Sequence, residues 1–206
     1  MTPRLVVATA NPGKAAEFHA LLDGLGYEIR TLQDYPGLAL PPEGETGYAE
    51  NARAKARATM RATGAIALGD DSGLEVDALG GRPGLASARY GGPGLSDAER
   101  VSRLLAELTG AAARTARFRC VLALAAPWGE EVLVEGAVDG VLAEAPRGAG
   151  GFGYDPIFVL PSTGRTVAEL TADEKHRWSH RGRAVEQARP ILRRWLEVAR
   201  ARVQSA

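Results

Sequence analysis

The chain is short of cysteine, and this scarcity excludes several classes of protein. Among its 206 residues there is one cysteine, Cys120. A single cysteine can form no disulfide within the chain, and it offers none of the paired spacings by which thiolates hold a metal. Chains without disulfides are typical of reducing compartments. We therefore expect a cytoplasmic protein in which Cys120 is an ordinary buried strand residue.

Long apolar runs are also missing. A helix that crosses a membrane needs about 18 or more consecutive apolar residues, and no segment approaches that length. The apolar stretch after Met1 is too short for the core of a secretory signal peptide, and it predicts a first strand instead. We therefore expect a soluble protein with no membrane partner.

Net charge is absent as well, because 25 Lys and Arg balance 25 Asp and Glu. This balance argues against a dedicated nucleic-acid binder. The charge is uneven, however: from Asp173 to Ala206 the chain carries nine basic and four acidic residues. A local basic excess suits a small polyanion such as a triphosphate, although a solvated helix face is the more common origin of one.

What remains is an ordinary globular chain, with 45% hydrophobic and 24% charged residues. Its length suits one domain, and neither an internal repeat nor a low-complexity linker divides it, so we expect a single domain over residues 1–206. The opening predicts a strand over 5–8, a turn at Asn11 to Gly13, a helix and a strand over 27–32, an order that favours an α/β fold. The further predicted elements are a helix over 48–63, strands over 65–68 and 74–79, a helix that Ser96 caps and that runs through Leu108, a hairpin of strands over 117–126 and 131–141, and an amphipathic helix from Arg183 that Pro190 should kink or break.

Four segments carry residues suited to binding or catalysis, and the first of them follows the first strand. A tight turn there opens a helix, whose N-terminal amides and partial positive charge form a natural phosphate site. Lys14 adds a full positive charge, and the pattern of a Walker A loop is absent. An ordinary strand-to-helix turn would use the same residue types. The segment consists of Thr9, Ala10, Asn11, Pro12, Gly13 and Lys14.

The second set is acidic. Glu43, Glu45 and Glu50 lie in and just after a loop, and Asp70 and Asp71 follow an apolar strand. Carboxylate oxygens are the hard ligands that Mg²⁺ prefers, usually one or two of them together with substrate phosphates. Successive strand residues point to opposite faces, so only one of the two aspartates should face a given ligand. The ordinary alternative is a solvated turn.

Ser72 follows these acids directly. No Gly-x-Ser-x-Gly elbow surrounds it, so the sequence does not indicate a nucleophile. Its hydroxyl is better suited to donate a hydrogen bond to a phosphate.

The third segment, Gly148 to Gly153, matches Gly-x-Gly-x-x-Gly literally. A dinucleotide fingerprint must open a helix, whereas Tyr154, Asp155 and an apolar run follow here, so we reject that interpretation. Glycines let the backbone approach a ligand closely, and Phe152 among them is suited to stack on a base. A surface loop with a core phenylalanine is the alternative.

The fourth segment, Lys175 to Arg181, interleaves basic residues with a tryptophan and two histidines. Arginine and histidine supply fixed hydrogen-bond donors, which suit a phosphate or the edge of a base. A polar junction between helices is the alternative.

Taken together, these segments resemble the inosine/xanthosine triphosphate pyrophosphatase family, whose members remove noncanonical purine nucleotides from the nucleotide pool. The matching blocks follow the family's order and cover most of the chain, which is more specific than any single motif. They are Val6 to Lys14, Glu45 to Gly47, Glu50 to Ala52, Asp70 to Leu74, Gly80 to Gly84, Ser87 to Tyr90, Gly151 to Pro156 and Ser179 to Arg181.

The resemblance implies an α/β fold, namely an elongated mixed-sheet protein with two lobes flanking a central substrate cleft, usually as a homodimer. It implies Mg²⁺-dependent hydrolysis of ITP, dITP or XTP to the nucleoside monophosphate and pyrophosphate. Asp71 would bind the metal and help to activate water, and Glu45 would be a second carboxylate on the metal. Thr9 to Lys14 would hold the triphosphate, and Ser72 would contact a phosphate. The implied base or phosphate contacts are Phe152, Gly153, Tyr154, Asp155, Lys175, His180 and Arg181.

Two other functions remain open on the sequence alone. A Maf-like nucleotide pyrophosphatase shares the α/β plan and prefers pyrimidine or modified triphosphates, but it would lack the blocks at Ser87 to Tyr90 and Gly151 to Pro156. A nucleotide-binding or RNA-binding module without turnover would explain the basic C-terminal stretch. Asp70 and Asp71 argue against such a module, because phosphate binders rarely direct acids at their ligand without a metal.

Overall fold

The computed structural model describes residues 2–204 and contains one six-stranded sheet with helices. Met1, Ser205 and Ala206 lie outside the described residues. The strands are β1 (Arg4–Ala8), β2 (Glu28–Thr31), β3 (Ile66–Val76), β4 (Thr115–Ala125), β5 (Glu131–Leu142) and β6 (Phe158–Val159). Their order across the sheet is β2-β1-β3-β4-β5-β6. β1 is parallel to β2 and β3, whereas β5 and β6 are antiparallel, so the predicted mixed α/β class is confirmed.

The helices are α1 (Pro12–Leu22), α2 (Tyr48–Thr63), α3 (Asp97–Glu107), α4 (Ala172–Trp178) and α5 (His180–Gln204). The bounds of α2 are those predicted, and Gly64 ends it with a left-handed φ of 66°. Ser96 caps α3 in the predicted reciprocal arrangement with Glu99. Among the described residues, no helix combines the length and the apolar character that crossing a membrane would require.

The chain divides into two compact units, each of which collects separate stretches of sequence. Unit 1 takes the residues up to Asp71, the stretch Cys120–Gly136 and the residues from Arg183 onward. Unit 2 takes Ser72–Arg119 and Ala137–Gly182. The expectations of a single domain and of a central cleft stay predictions.

The core of unit 1 is built on the apolar stripe of α5. Val185, Ala188, Leu192 and Trp195 are buried in one cluster with side chains of β1, β3 and β4. Burying a side chain of this size contributes about 1.5–3 kcal/mol relative to leaving it exposed. This stripe therefore serves the core of its own unit.

Of the two expected effects of Pro190, a break is wrong, because α5 continues from His180 to Gln204, whereas a kink stays a prediction. Proline removes one backbone donor and frees the carbonyl one turn earlier. Pro190 is exposed, so water can bond to that carbonyl, while the buried stripe on the other face holds the helix together.

The core of unit 2 packs α3 against β4 and the segment around β6. Val101 and Leu104 of α3 are buried in a cluster with Phe118 and Phe158, whose ring centroids lie 4.4 Å apart. Tyr154 belongs to the same cluster. The loop that carries the predicted base contacts is therefore anchored in a packed core.

The acidic segment lies inside a strand, which corrects the prediction of two strands separated by a turn. β3 runs without interruption from Ile66 to Val76 and contains Asp70 and Asp71. It pairs with β1 as far as Ala8 opposite Gly69. A Cβ on Gly69 would lie 2.1 Å from the carbonyl oxygen of Ala52 in α2, so glycine is needed for the helix to approach the strand.

Candidate active site

The first two predicted segments meet at one edge of the sheet. The pairing of β1 with β3 ends at Ala8 and Gly69, so Asp70 and Asp71 come directly after the paired region. Thr9 leaves β1 at the same place and leads into α1. Ligands of parallel α/β sheets bind outside the carboxyl ends of the strands, and this edge is such a place.

The turn after β1 is organised by its own side chains. The Asn11 side chain accepts a hydrogen bond from the Lys14 amide at 3.0 Å, and the buried Thr9 hydroxyl accepts one from the Asn11 amide at 3.2 Å. Pro12 is the first helical residue, where its missing N–H costs nothing. The predicted turn at residues 11–13 is therefore the capped start of α1, and exposed Ala10 lies between strand and helix.

Asp70 is 2% exposed and receives several donors. Its carboxylate forms an ion pair with the Lys14 ammonium. The Cys120 thiol donates to Asp70 Oδ1 at 3.1 Å, and the backbone carbonyl of Asp70 accepts a hydrogen bond from Lys55 at 3.0 Å. Cys120 is buried in β4, as expected, and it also contacts this acid. A carboxylate this deeply buried requires such compensation of its charge.

Asp71 is 4% exposed and is held by two residues of α2. The Asn51 side-chain amide donates to Asp71 Oδ2 at 3.0 Å, and the Lys55 ammonium lies 3.3 Å from Oδ1. The same ammonium lies 2.6 Å from the Glu43 carboxylate. Lys55 therefore joins the loop acid to the strand acid.

The electrostatics of this group follow from burial and pairing. Burial raises the pKa of Asp71 above its usual range, although Lys55 and Asn51 oppose the rise. Burial lowers the pKa of Lys55, but the attraction of Asp71 and Glu43 outweighs it and raises that pKa overall. Lys55 thus stays charged at neutral pH, and Asp71 is more basic than an ordinary aspartate.

The sequence prediction missed Lys55 and gave Asn51 no role. A signal was present, because Asn51, Lys55 and Thr59 are spaced four residues apart and so share one face of α2. All three are buried. A polar stripe on the buried face of a helix indicates partners across the interface, but the sequence does not say which acids they are.

The structure brings Glu43 rather than Glu45 to Lys55. Glu45 is exposed in the loop before α2, and Glu50 lies 3.9 Å from Arg53 on the helix surface. The assignment of Glu45 to a metal stays a prediction. Glu43 is the loop acid whose position is set by a contact to the buried group.

Unit 2 holds the predicted base contacts. The Asp155 carboxylate, 4% exposed, accepts a hydrogen bond from the Phe152 amide at 2.9 Å and forms an ion pair with Lys175. Above the half-buried Phe152 ring, the Lys175 ammonium lies 4.8 Å and the Arg181 guanidinium 5.8 Å from the centroid. An aromatic face bordered by two cations is the result.

The other residues of these segments have distinct surroundings. Arg181 also donates to the Ser72 hydroxyl at 3.1 Å, so the structure brings these two predicted contacts together. His180 is 7% exposed, and its ring stacks on Phe118 with centroids 4.7 Å apart. Within unit 2, His180 therefore lies against the core.

Three arginines of the basic C-terminal stretch have acidic partners within unit 1. Arg189 pairs with Glu186 at 2.8 Å, and Arg200 with Glu197 at 3.2 Å. Arg194 lies 2.7 Å from Glu130 on the hairpin loop. These pairs favour the ordinary explanation of a solvated helix face.

The two groups of side chains suit different tasks. In unit 1, Lys14 and Lys55 flank two carboxylates beside a helix N-terminus, which suits phosphate binding together with proton transfer. In unit 2, a ring and donor-only cations surround one anchored acid, which suits an aromatic ligand that bears hydrogen-bond acceptors.

Comparisons with known proteins agree on one family. The profile of the Ham1 family matches residues 5–191. A dITP/XTP pyrophosphatase of Geobacillus kaustophilus is 48% identical over 198 residues, which cover 94% of this chain and 95% of that protein. One of Gloeobacter violaceus is 52% identical, over 89% of this chain and 91% of that protein.

Solved structures lead to the same group. A HAM1 protein from Coxiella burnetii is similar with a TM-score of 0.80 and 41% identity, over 92% of this chain and 98% of that one. A nucleoside-triphosphatase / dITP/XTP pyrophosphatase from Mycobacterium abscessus has a TM-score of 0.71 and 44% identity, over 92% and 99% of the two chains. With a family profile that spans most of its length and relatives of this similarity, the chain belongs to the Ham1 family.

Proposed function

We propose that this protein is a Mg²⁺-dependent pyrophosphatase that hydrolyses noncanonical purine nucleoside triphosphates, namely ITP, dITP and XTP, to the monophosphate and pyrophosphate. The observation that carries the proposal is the buried Asp71, held between Asn51 and Lys55 at the edge of the sheet where α1 also begins. The names of the relatives support the substrate class, since each of those described above as dITP/XTP pyrophosphatases is at least 44% identical.

The start of α1 is suited to hold the phosphates. Within the turn, the amides of Asn11, Lys14 and Ala15 already have partners in the chain. The amides of Ala10 and Gly13 and the Lys14 ammonium supply donors to a phosphate, and the helix dipole adds to their effect. Because Lys14 is paired with Asp70, a bound phosphate would share the Lys14 ammonium with the Asp70 carboxylate.

The carboxylates fit Mg²⁺ by the chemistry of their donor atoms. Mg²⁺ is usually bound by one or two carboxylates, water and substrate phosphates rather than by a protein cage. Among the described residues, no three His, Cys, Asp or Glu side chains lie together as a metal site. Asp71 and Glu45 would hold the ion, and Glu43, Glu50 and Asp70 are the alternatives to Glu45. When bound, Mg²⁺ would neutralise phosphate oxygens and orient the triphosphate.

Asp71 is the residue that we assign to proton transfer. Its carboxylate, which Asn51 and Lys55 hold in place, can accept the proton of the attacking water. The bond between the α and β phosphates breaks as water adds, and pyrophosphate leaves. Lys14 and the start of α1 stabilise the negative charge that develops on this leaving group. Lys55 keeps the Asp71 carboxylate in place.

The group around Phe152 is suited to select a 6-oxo purine. A base stacked on this ring would meet Lys175 and Arg181, which have donors and no acceptors. Such donors suit the O6 atom of hypoxanthine or xanthine, which guanine shares, and leave the amino group of adenine unpaired. They therefore select against ATP, and the expected preference over GTP rests on the names of the relatives. An unpaired polar group costs about 1–3 kcal/mol, which corresponds to about 10- to 100-fold in selectivity.

The same proposal includes a homodimer in the cytoplasm. The resemblance stated above supports the dimer, and the single cysteine supports a reducing compartment. The mass measured by light scattering during size-exclusion chromatography tests the dimer, because a monomer has 21.7 kDa.

The decisive experiment is pyrophosphate release from ITP, dITP, XTP, GTP, ATP and dTTP, with Mg²⁺ and with EDTA. We expect release that depends on Mg²⁺ and that favours ITP, dITP and XTP over GTP and ATP. Preference for dTTP would support the Maf-like alternative. No release from any of them, with binding retained, would support a module without turnover.

A further inference from the structure

Hydrogen bonds on both sides of Phe152 hold the loop that carries it. The Phe152 amide donates to the Asp155 carboxylate at 2.9 Å. The next amide, that of Gly153, donates to the Asp97 carboxylate at 2.7 Å. The two peptide groups that flank the ring are therefore both fixed, and with them the direction in which the Phe152 side chain leaves the backbone.

Asp97 can make this bond because other residues cap its helix. Ser96 accepts from the Glu99 amide at 3.3 Å, and Glu99 accepts from the Ser96 amide at 2.7 Å. Asp97 is the first residue of α3, where the helix dipole stabilises a negative charge. Its carboxylate is thus not needed for capping and bonds to a residue 56 positions further along the chain.

The geometry of the loop suits this anchor. Gly153 has a φ of 61°, a left-handed conformation that glycine adopts at little cost. The buried Tyr154 hydroxyl donates to the Ser87 carbonyl at 3.0 Å, and burial raises the pKa of Tyr154, so the hydroxyl stays a donor. One side of the loop is thereby tied to the core, and Asp97 ties it to α3.

We propose that Asp97 is a positioning residue that orients Phe152 against the purine base of the substrate. The proposal rests on the proposed function, in which Phe152 stacks on that base. Loss of the bond between Asp97 and Gly153 frees one of the two flanking peptide groups. The ring then adopts more orientations, and a smaller fraction of them suits stacking on the base. Phosphate binding by Lys14 in unit 1 does not depend on this bond, so the effect is confined to recognition of the base.

The test compares Asp97→Ala with Asp97→Asn in steady-state hydrolysis of ITP. Alanine removes the acceptor, and we expect KM for ITP to rise about three- to tenfold, the range of one hydrogen bond, with little change in kcat. Asparagine keeps a side-chain oxygen in the same place without the charge and should restore KM. The inhibition constant of inorganic tripolyphosphate, which has no base, should stay the same in both variants.

Asp173→Ala is the matched control. Like Asp97 in α3, Asp173 lies in the first turn of a helix that other residues cap, here Thr171 and Glu174. The variant therefore measures how the loss of a negative charge at such a position changes KM. Its KM for ITP should stay at the wild-type value.

Three results would overturn the proposal: an unchanged KM in Asp97→Ala, an equal rise in Asp97→Asn, or a parallel loss of tripolyphosphate inhibition. Thermal unfolding shows whether each variant folds. Asp97→Ser, which is too short to reach Gly153, replaces the alanine variant if that one does not fold. Failure of the proposed function itself is distinct, since the wild-type protein would then release no pyrophosphate from ITP.

Discussion

The charged group of unit 1 (Lys14, Lys55, Asp70 and Asp71) and the aromatic group of unit 2 (Phe152, Asp155, Lys175 and Arg181) compensate buried carboxylates in different arrangements. In unit 1, two adjacent strand acids are each compensated by a lysine from a different helix, Asp70 by Lys14 and Asp71 by Lys55. In unit 2, a single acid, Asp155, is compensated by Lys175 and by a backbone amide. The first arrangement concentrates charge, whereas the second uses charge to fix a ring.

This difference indicates a division of labour. Concentrated charge in a low-dielectric setting binds and moves ions and protons, and each of its members depends strongly on the others. A ring bordered by donors recognises shape and hydrogen-bonding pattern instead. Changes in unit 1 should therefore affect turnover and stability, and changes in unit 2 should affect substrate choice.

The largest effect is expected from Asp71→Asn. The amide keeps the shape of the side chain but cannot accept a proton, so kcat should fall about 10²- to 10⁴-fold while the protein still folds. Pyrophosphate release from ITP and the melting temperature measure the two quantities. Asp77→Asn, at an exposed aspartate just after the same strand, is the control and should stay active. Normal turnover in Asp71→Asn would remove Asp71 from the site.

Lys55→Met should cost the most stability. It leaves Asp71 and Glu43 without their shared cation, and breaking a buried ion pair by removing one partner costs about 3–5 kcal/mol. Urea denaturation measures the free energy of unfolding. Arg57→Met, which removes an exposed ion pair on the same helix, should cost about 1 kcal/mol or less. An equal loss in the free energy of unfolding in the two variants would show that Lys55 does not stabilise Asp71 and Glu43 as a buried ion pair does.

Lys14→Ala should weaken binding of every triphosphate. Loss of a charged hydrogen-bond donor costs about 1.5–3 kcal/mol, or about 10- to 100-fold in KM for ITP. Because the lost contact is to phosphate, inhibition by tripolyphosphate should weaken in parallel. An unchanged affinity for both ligands would place the phosphates elsewhere.

Phe152→Ala sharpens the contrast between the two groups. Loss of stacking on one base costs about 1–3 kcal/mol, so KM for ITP should rise about five- to 100-fold. Inhibition by tripolyphosphate should not change, in contrast to Lys14→Ala. Phe152→Tyr keeps the ring and should remain close to the wild-type protein. If tripolyphosphate inhibition falls in Phe152→Ala, the ring does not act on the base alone.

The smallest effect, on the melting temperature, is expected from Glu174 at the start of α4, which is far along the chain from Asp70 and Asp71. Its ion pair with Arg165 and its bond from the Thr171 amide lower its pKa from 4.5 to about 2. A carboxylate with a lowered pKa in the folded state stabilises the protein above pH 4.5 and loses this effect as the pH falls toward 2. The melting temperature of Glu174→Gln should therefore lie slightly below that of the wild type at pH 6, and the gap should narrow below pH 4.5 and close near pH 2. A constant gap would assign the effect to something other than this ionisation.

Much of the local structure could be predicted from the sequence. The capping box at Ser96, the full extent of α2 and the buried stripe of α5 depend on residues within a few positions of each other, so local rules locate them. The turn after β1 was also found, although Pro12 begins the helix there. β3 was divided wrongly, because a strand that contains two aspartates and two glycines has the composition of a turn.

The sequence by itself determined which residue types are present for the proposed chemistry and where the strongly patterned helices α2 and α3 lie, because both depend on neighbouring residues. Only the tertiary structure decided that Lys55 pairs with Asp71, that Lys14 pairs with Asp70 and that Asp97 accepts a hydrogen bond from Gly153. These partners lie 16 to 56 residues apart along the chain. Such pairs form when packing brings helices against strands, as the absence of a side chain on Gly69 allows for α2. Burial then sets the pKa of Asp71, a property that no local pattern contains.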